Sequence, residues 1–592
     1  MKAATRRAAV VLLVLGVALY PTTRLRIFTF DSDASAYIGA ARSMLSGHGY
    51  SLNGEPTEYP PGTSILIEPF VHAGRPFLGA GIAGLHVYMA LFGVAGFLVS
   101  FAFMRNRDEP LAFWLCLMIW ANAAYYMSAT GGVSSDVPYL VFSMSFLLWF
   151  ERGEDAGERK GALGWLLGVV LLVMAMLLRS VSIALIGGLA LTTAVRWRRN
   201  RSRMALPLVT LGVAVLAFLV SSFLNHSQGS YISQLLMVDP HQPDLGQASF
   251  GTFLGRAPVF LAERGAALTQ ALTNYPWFQR ALLVPPVLLA VVCCITGWVQ
   301  DVRSNELAGW YVLCYVGVML FWPYGEGTRF LVPVLPLFLV YGARGSRTAF
   351  RWMAAAPGTR LTWVGLAAAC GFVILLGNVP SAMRGANRLA WLTGRWGVEY
   401  EASLVFWPAA AVLAFFLAAK RSRPAVARQP GATTGRRLGR AAAASYLAAY
   451  GILGFGQIRD RVRYNLHVHP ETMLRATARR AAIWINAHAD PGDRIMADDR
   501  EALVLTTDRH VELLPATGIH PSRYAIALCR ERPRYVVVND SVRHPNLLPQ
   551  DPERLIIMQR VFPGSFRLVQ RLAEVSIYEV DTASAAFTRT CH

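Results

Sequence analysis

Residues Thr29–Phe70 read TFDSDASAYIGAARSMLSGHGYSLNGEPTEYPPGTSILIEPF. Two acids, Asp31 and Asp33, follow the first apolar run of the chain. Next comes a short amphipathic segment whose Tyr37, Ile38, Met44 and Leu45 are spaced to lie on a membrane surface. The stretch closes on Glu58-Tyr59-Pro60-Pro61-Gly62, where the prolines impose an extended turn ahead of the next apolar run. Carboxylates are thereby expected at a membrane boundary.

The whole chain agrees with that setting. Its 592 residues are 54% hydrophobic and only 16% charged, with a mean hydropathy of +0.38, whereas a soluble protein carries about a quarter charged residues. The formal charge of +20 does not point to nucleic acid, because the arginines fall in short connections between apolar runs and form no stripe. Cys116, Cys293, Cys294, Cys314 and Cys370 lie in apolar runs and no zinc spacing occurs. Only Cys529 and Cys591 could meet in a soluble region, and a disulfide between them is not counted on. Lys2, Arg6 and Arg7 before the run Ala8–Tyr20 resemble a signal peptide without a cleavage site, so this is read as an uncleaved first span.

After that first span, further ones are predicted near 78–104, 110–128, 137–150, 161–178, 181–195, 204–223, 281–299, 307–322, 330–343, 361–378, 403–419 and 441–456, about thirteen in all. With Lys2 inside, Arg105 and Arg107, Arg152 to Lys160, Arg196 to Arg203, Arg344 to Arg351 and Lys420 to Arg440 all fall in inner connections. This is the usual positive-inside bias. It puts Asp31, Asp33, Asp136 and the C-terminal region outside. The outer loop 224–280 is expected to contain an amphipathic helix from Phe253 to Leu272 and could serve as a lid, and Arg421–Arg440 reads as a linker.

From Gln457 the composition becomes that of a soluble domain. A helix near Glu471–His488 precedes short strands at Arg494–Ala497, Val511–Leu514, Tyr535–Asn539, Phe566–Leu572 and Val575–Val580, an α/β pattern without a phosphate-binding glycine loop. The expected fold is mainly α: a polytopic helical membrane module over 1–456, with outer loops at 21–77 and 224–280, and a small α/β domain over 457–592.

Asp33 and Asp31 are the first candidates for chemistry, since a partly desolvated carboxylate can take a proton from a hydroxyl or amine, or hold a cation. Asp136, in Ser134-Ser135-Asp136-Val137-Pro138, opens a span and could equally be a helix cap. Arg179 lies between two apolar stretches and Arg329 opens RFLVPVLP. A central membrane arginine costs about 2.5–3.5 kcal/mol on insertion scales, so it normally has a partner, and phosphate or carboxylate matches its donor fork. Glu58, Glu326, His48, His72 and His86 are weaker candidates, and Trp310-Tyr311 with Phe321-Trp322-Pro323-Tyr324 read as an interfacial aromatic belt.

Asp33 followed four residues later by Tyr37, the AARSML segment and the Pro60-Pro61 pair together resemble the first outer loop of the GT-C membrane glycosyltransferases, of the protein O-mannosyltransferase and lipid A aminoarabinose transferase type. The resemblance implies Asp33 as the catalytic carboxylate, a general base towards the acceptor, with Asp136 and Asp31 helping to orient it, and Arg179 and Arg329 holding the phosphate of a polyprenyl-phosphate sugar. It also draws Tyr37, Glu58 and Tyr59 into the substrate site. The chain departs from the pattern at Ala34, where relatives often carry Glu, and at Tyr59, where the aminoarabinose transferase has Lys. These departures leave the need for a divalent cation open.

The expected function is inverting transfer of a sugar from the lipid-linked donor to an envelope acceptor, on the periplasmic face of the bacterial inner membrane. The alternative is a transporter or flippase of a lipid-linked sugar. Transporters more often show inverted repeats and ionisable groups at the midplane, whereas the acids here gather at one boundary.

Overall fold

The computed structural model describes residues 32–355 and 480–591, apart from 53–54, 58, 73–79, 108–111, 121, 131–132, 156–161, 200–204, 225–235, 238–245, 257–266, 269–283, 323–326, 499–502, 504–506, 508, 515–520, 540–550 and 573–574. Asp31, Glu58, Glu326, the first expected span and those at 361–378, 403–419 and 441–456 lie outside the described residues, as does the expected domain boundary near 456. The described chain forms two compact units. One is drawn from 90–355 and the other from 32–89 together with 480–591.

The second unit opens with α1 (Ser32–Leu45), a two-residue hairpin β1 (Ser51–Leu52) and β2 (Glu55–Pro56), and α2 (Gly62–His72). α1 carries Ala34, Ala36, Tyr37, Ile38, Ala40 and Ala41 into the interior. Tyr37 and Ile38 therefore do not lie on a membrane surface as expected. The small alanines allow α2 to pack close, and Ser64 Oγ of α2 donates to the carbonyl of Tyr37 at 3.0 Å.

α3 (Ala80–Asn106) contributes residues 80–89 to this unit and the remainder to the other. The helical unit continues with α4 (Ala112–Trp120), α5 (Ala123–Thr130), α6 (Asp136–Asp155), α7 (Ala162–Leu178), α8 (Ile183–Arg199), α9 (Ala205–Leu224), α10 (Val284–Arg303), α11 (Leu307–Phe321) and α12 (Leu335–Ala355). A 3-10 turn, Ser180–Ser182, joins α7 to α8, and a 3-10 segment, Gly327–Val334, precedes α12.

Each expected run between 78 and 343 corresponds to helix, but 110–128 is split in two. Buried Asn122 accepts the amide of Tyr125 at 3.0 Å and caps a new helix there. Of the expected amphipathic helix Phe253–Leu272, 250–256 and 267–268 are described as helical.

Leu163, Leu166 and Leu167 on α7, and Leu208, Leu216 and Leu219 on α9, stand exposed on one-sided helical faces. Such surfaces suit lipid and are disfavoured in water. Among the described residues, Val87–Asn106 and Ser180–Arg198 are long and apolar enough to cross a membrane, and Gly62–Val71, Leu163–Leu178, Leu208–Val220 and Leu307–Phe321 are shorter apolar helices. By length and composition the structure thus supplies two of the roughly thirteen spans. Inside the unit α10 and α12 approach closely: a Cβ at Gly297 would collide with the carbonyl of Tyr341, and one at Gly345 with that of Cys293. Small residues let membrane helices pack backbone to backbone in this way.

The C-terminal part of the other unit has a five-stranded sheet in the order β4-β3-β5-β7-β6, made of β3 (Arg494–Ala497), β4 (His510–Leu513), β5 (Tyr535–Asn539), β6 (Phe566–Leu572) and β7 (Val575–Val580). β4, β3 and β5 run parallel, and β7 and β6 are antiparallel. Alternation along the strands sends Ile495, Ala497 and Val537 to one face against the helix at 480–488, where Leu52 of the hairpin also packs. Met496, Val536 and Val538 face α13 (Pro521–Glu531), α14 (Asp551–Val561) and α15 (Ala585–Cys591). Contrary to expectation, Cys529 and Cys591 do form a disulfide, tying α13 to α15 across 62 residues.

Candidate functional site

Three charged side chains from separate parts of the helical unit meet at one end of it. Asp136 is the first residue of α6 and is fully buried. The carbonyl of Ser135 accepts the first helical bond from Tyr139, so Ser135 is the cap and Pro138 sits in the first turn, where its missing amide costs nothing. Ser134 Oγ donates to Asp136 Oδ2 at 2.6 Å and accepts the Asp136 amide at 3.1 Å, fixing the carboxylate against the positive end of α6.

Arg179 is where α7 stops. Its backbone is extended, φ −149° and ψ 140°, and the chain turns through Ser180–Ser182 before α8 begins. That break frees the guanidinium to reach Asp136, with Nη1 on Oδ1. Arg329 comes from the 3-10 segment, where its Nε donates to Asp136 Oδ2 at 2.6 Å. Residue 330 continues the arrangement, its ring lying under the Arg179 guanidinium with Cζ 5.1 Å from the centroid. Two guanidinium groups thus converge on one carboxylate. The Arg179 side chain is 10% exposed and that of Arg329 27%. A guanidinium offers five N–H donors in a fixed fork whose geometry matches an oxyanion.

Asp33, Tyr37 and Tyr59 belong to the other unit. Asp33 is half-buried in the first turn of α1, where the helix dipole favours a carboxylate. The rings of Tyr37 and Tyr59 meet edge to face at 5.4 Å. Tyr50 donates its hydroxyl to the Tyr59 carbonyl at 2.7 Å, and burial pushes its phenol above the ordinary value, so it stays a neutral donor. His48 is exposed. Among the described residues no three His, Cys, Asp or Glu side chains gather as a metal site.

Two solved structures resemble the chain over nearly its whole length. The crystal structure of ArnT from Cupriavidus metallidurans bound to undecaprenyl phosphate shares 15% identity, covering 96% of this chain and 97% of that one at a TM-score of 0.47. The apo state of the same protein shares 16% identity, covering 98% of each chain at the same TM-score. No protein-family model and no curated protein matches the sequence.

Sequence reasoning missed the residues behind the trio. Tyr311 was read as part of an aromatic belt, yet it is fully buried, and its hydroxyl lies 3.2 Å from that of Tyr139, one turn along α6 from Asp136. Tyr315, one turn further along α11, donates to the carbonyl of Phe330 at 2.5 Å. Phe321, at the end of the same helix, stacks on Phe253 at 4.8 Å.

A second cluster closes the other end of α6. Arg107, at the end of α3, meets Glu151 of α6 and Asp301 of α10 and lies 3.6 Å from Glu306. Arg344 of α12 reaches Asp301 Oδ1 at 2.5 Å. The sequence pattern marks Arg107 and Arg344 only as charges of inner connections.

Proposed function

We propose that the protein transfers a sugar from a polyprenyl-phosphate carrier to an envelope acceptor, in the manner of GT-C enzymes. The observation that carries this reading is the Arg179–Asp136–Arg329 trio, a pair of guanidinium groups preset on one buried carboxylate among apolar helices. An acceptor hydroxyl or amine attacks the anomeric carbon while the bond from that carbon to the phosphate oxygen breaks. The sugar is inverted, the acceptor proton passes to Asp33, and polyprenyl phosphate leaves. Negative charge grows on the departing phosphate, and Arg179 and Arg329 stabilise it. Asp136, with each oxygen already taken by an arginine, serves to set the two guanidinium groups rather than to accept a proton. Asp31, Tyr37, Glu58 and Tyr59 are assigned to orienting the acceptor and the sugar.

The reaction is placed on the periplasmic side of the bacterial inner membrane. Supporting this are the arginine-rich connections expected inside and the Cys529–Cys591 disulfide, which belongs to an oxidising compartment. No nucleotide sugar is expected there, so a lipid carrier is the reasonable donor. The test is to replace Asp33 by Asn and follow lipid-linked sugars in cells lacking the wild-type gene. The expected result is accumulation of the polyprenyl-phosphate sugar, as in the null strain, with the variant inserted and still binding undecaprenyl phosphate. Normal sugar transfer by Asp33→Asn removes the catalytic assignment.

A further inference from the structure

Resting on the phosphate-binding reading of the trio, we infer that Tyr315 is a positioning residue that sets Arg329, and with it the ring beneath Arg179, through the backbone of the 3-10 segment. In the i to i+3 pattern of that segment, the natural donor to the carbonyl of residue 330 is the amide of residue 333. Residue 333 is proline and has no N–H. The hydroxyl of Tyr315, buried on α11, takes that place at 2.5 Å.

The consequence reaches both arginines. Phe330 follows Arg329 directly and lies face-on to Arg179, so fixing its carbonyl holds the residue next to the one guanidinium and the backbone that carries the ring supporting the other. The opposite side of the trio is held from the same helix. Tyr311 lies four residues before Tyr315, its ring 5.7 Å away, and its hydroxyl pairs with that of Tyr139 one turn from Asp136. Two phenols on successive turns of α11 therefore hold the acid-bearing helix and the arginine-bearing segment at a set separation. Tyrosine does what phenylalanine could not, because the ring only fills space whereas the hydroxyl fixes a backbone group.

The experiment measures undecaprenyl phosphate binding and thermal melting on the full chain in nanodiscs, for wild type, Tyr315→Phe, Pro333→Ala, the double variant and Arg329→Ala. Tyr315→Phe keeps the ring and loses one buried hydrogen bond. It is expected to bind the lipid about three- to tenfold more weakly, with little change in melting. Adding Pro333→Ala supplies an amide to the stranded carbonyl, and the double variant is expected to regain most of the lost affinity. The inference is overturned if Tyr315→Phe binds as wild type while Arg329→Ala is weakened. It is also overturned if the loss follows a fall in melting and is not recovered in the double variant. Wild-type binding by Arg329→Ala instead overturns the phosphate reading itself, and this inference with it.

Discussion

The two ends of α6 carry buried charge for different purposes. Asp136 is its first residue and Glu151 lies fifteen further on, about 22 Å along the axis at 1.5 Å per residue. At the Glu151 end, among the described residues, three carboxylates, Glu151, Asp301 and Glu306, face two arginines, Arg107 and Arg344, and side chains from α3, α6, α10 and α12 are pinned together. The Arg107 side chain is 4% exposed and that of Asp301 1%. At the Asp136 end, among the described residues, one carboxylate is set between two arginines, and the Arg329 side chain is 27% exposed, close to the 23% of Arg344 at the other end. A cluster whose described acids outnumber its bases has no call for an anion and acts as a clasp. The Asp136 end, where two guanidinium forks meet one acid among the described residues, is the cradle for an anion that the proposed function requires.

The largest expected effect breaks the clasp. Asp301 serves both Arg107 and Arg344, and Asp301→Ala leaves guanidinium groups buried without it. Losing one partner of a buried ion pair costs about 3–5 kcal/mol. Unfolding in mixed micelles should show a loss of that size, while the folded fraction binds undecaprenyl phosphate as before. Weakened binding with stability intact would reverse the roles of the two ends.

The complementary variant, Arg329→Met, leaves Arg179 paired with Asp136. Its expected cost to stability is small. Charge-assisted hydrogen bonds contribute about 1.5–3 kcal/mol, so lipid-phosphate binding should fall about tenfold to a hundredfold in titrations. If instead Arg329→Met unfolds the protein and spares binding, the Asp136 end is a second clasp.

The sequence allowed a good part of this to be read, for identifiable reasons. Strands such as Arg494–Ala497 and Tyr535–Asn539 were expected at the bounds they occupy, because short apolar runs between turn residues leave little freedom of assignment. Asp136, Arg179 and Arg329 stood out because charge in apolar surroundings needs a partner, and here they prove to be partners of one another. Tyr139, Tyr311 and Tyr315 did not stand out, since tyrosine in an apolar run serves equally well as interfacial anchor or as buried donor. The clasp was hidden for a different reason. Hydropathy treats Arg107 as the end of a helix, and nothing local indicates that its acids lie 44 and 194 residues away. Likewise, the spacing of Cys529 and Cys591 carries no sign that α13 and α15 pack side by side.

Salt provides the gentlest way to separate the two ends. Mobile ions screen charges they can approach, over a distance that shrinks from about 10 Å at 0.1 M to about 3 Å at 1 M. Arg329 is open enough to be approached, and Arg107 and Asp301 are not. Raising NaCl from about 0.05 to about 0.5 M should therefore weaken undecaprenyl phosphate binding about three- to fivefold and leave the melting temperature of the unliganded protein almost unchanged. Titrations in nanodiscs, paired with melting curves at each salt concentration, give both readings. A melting temperature that falls with salt while binding holds steady would mean that ions reach the Glu151 end and not the Asp136 end, and the assignment of clasp and cradle would have to be exchanged.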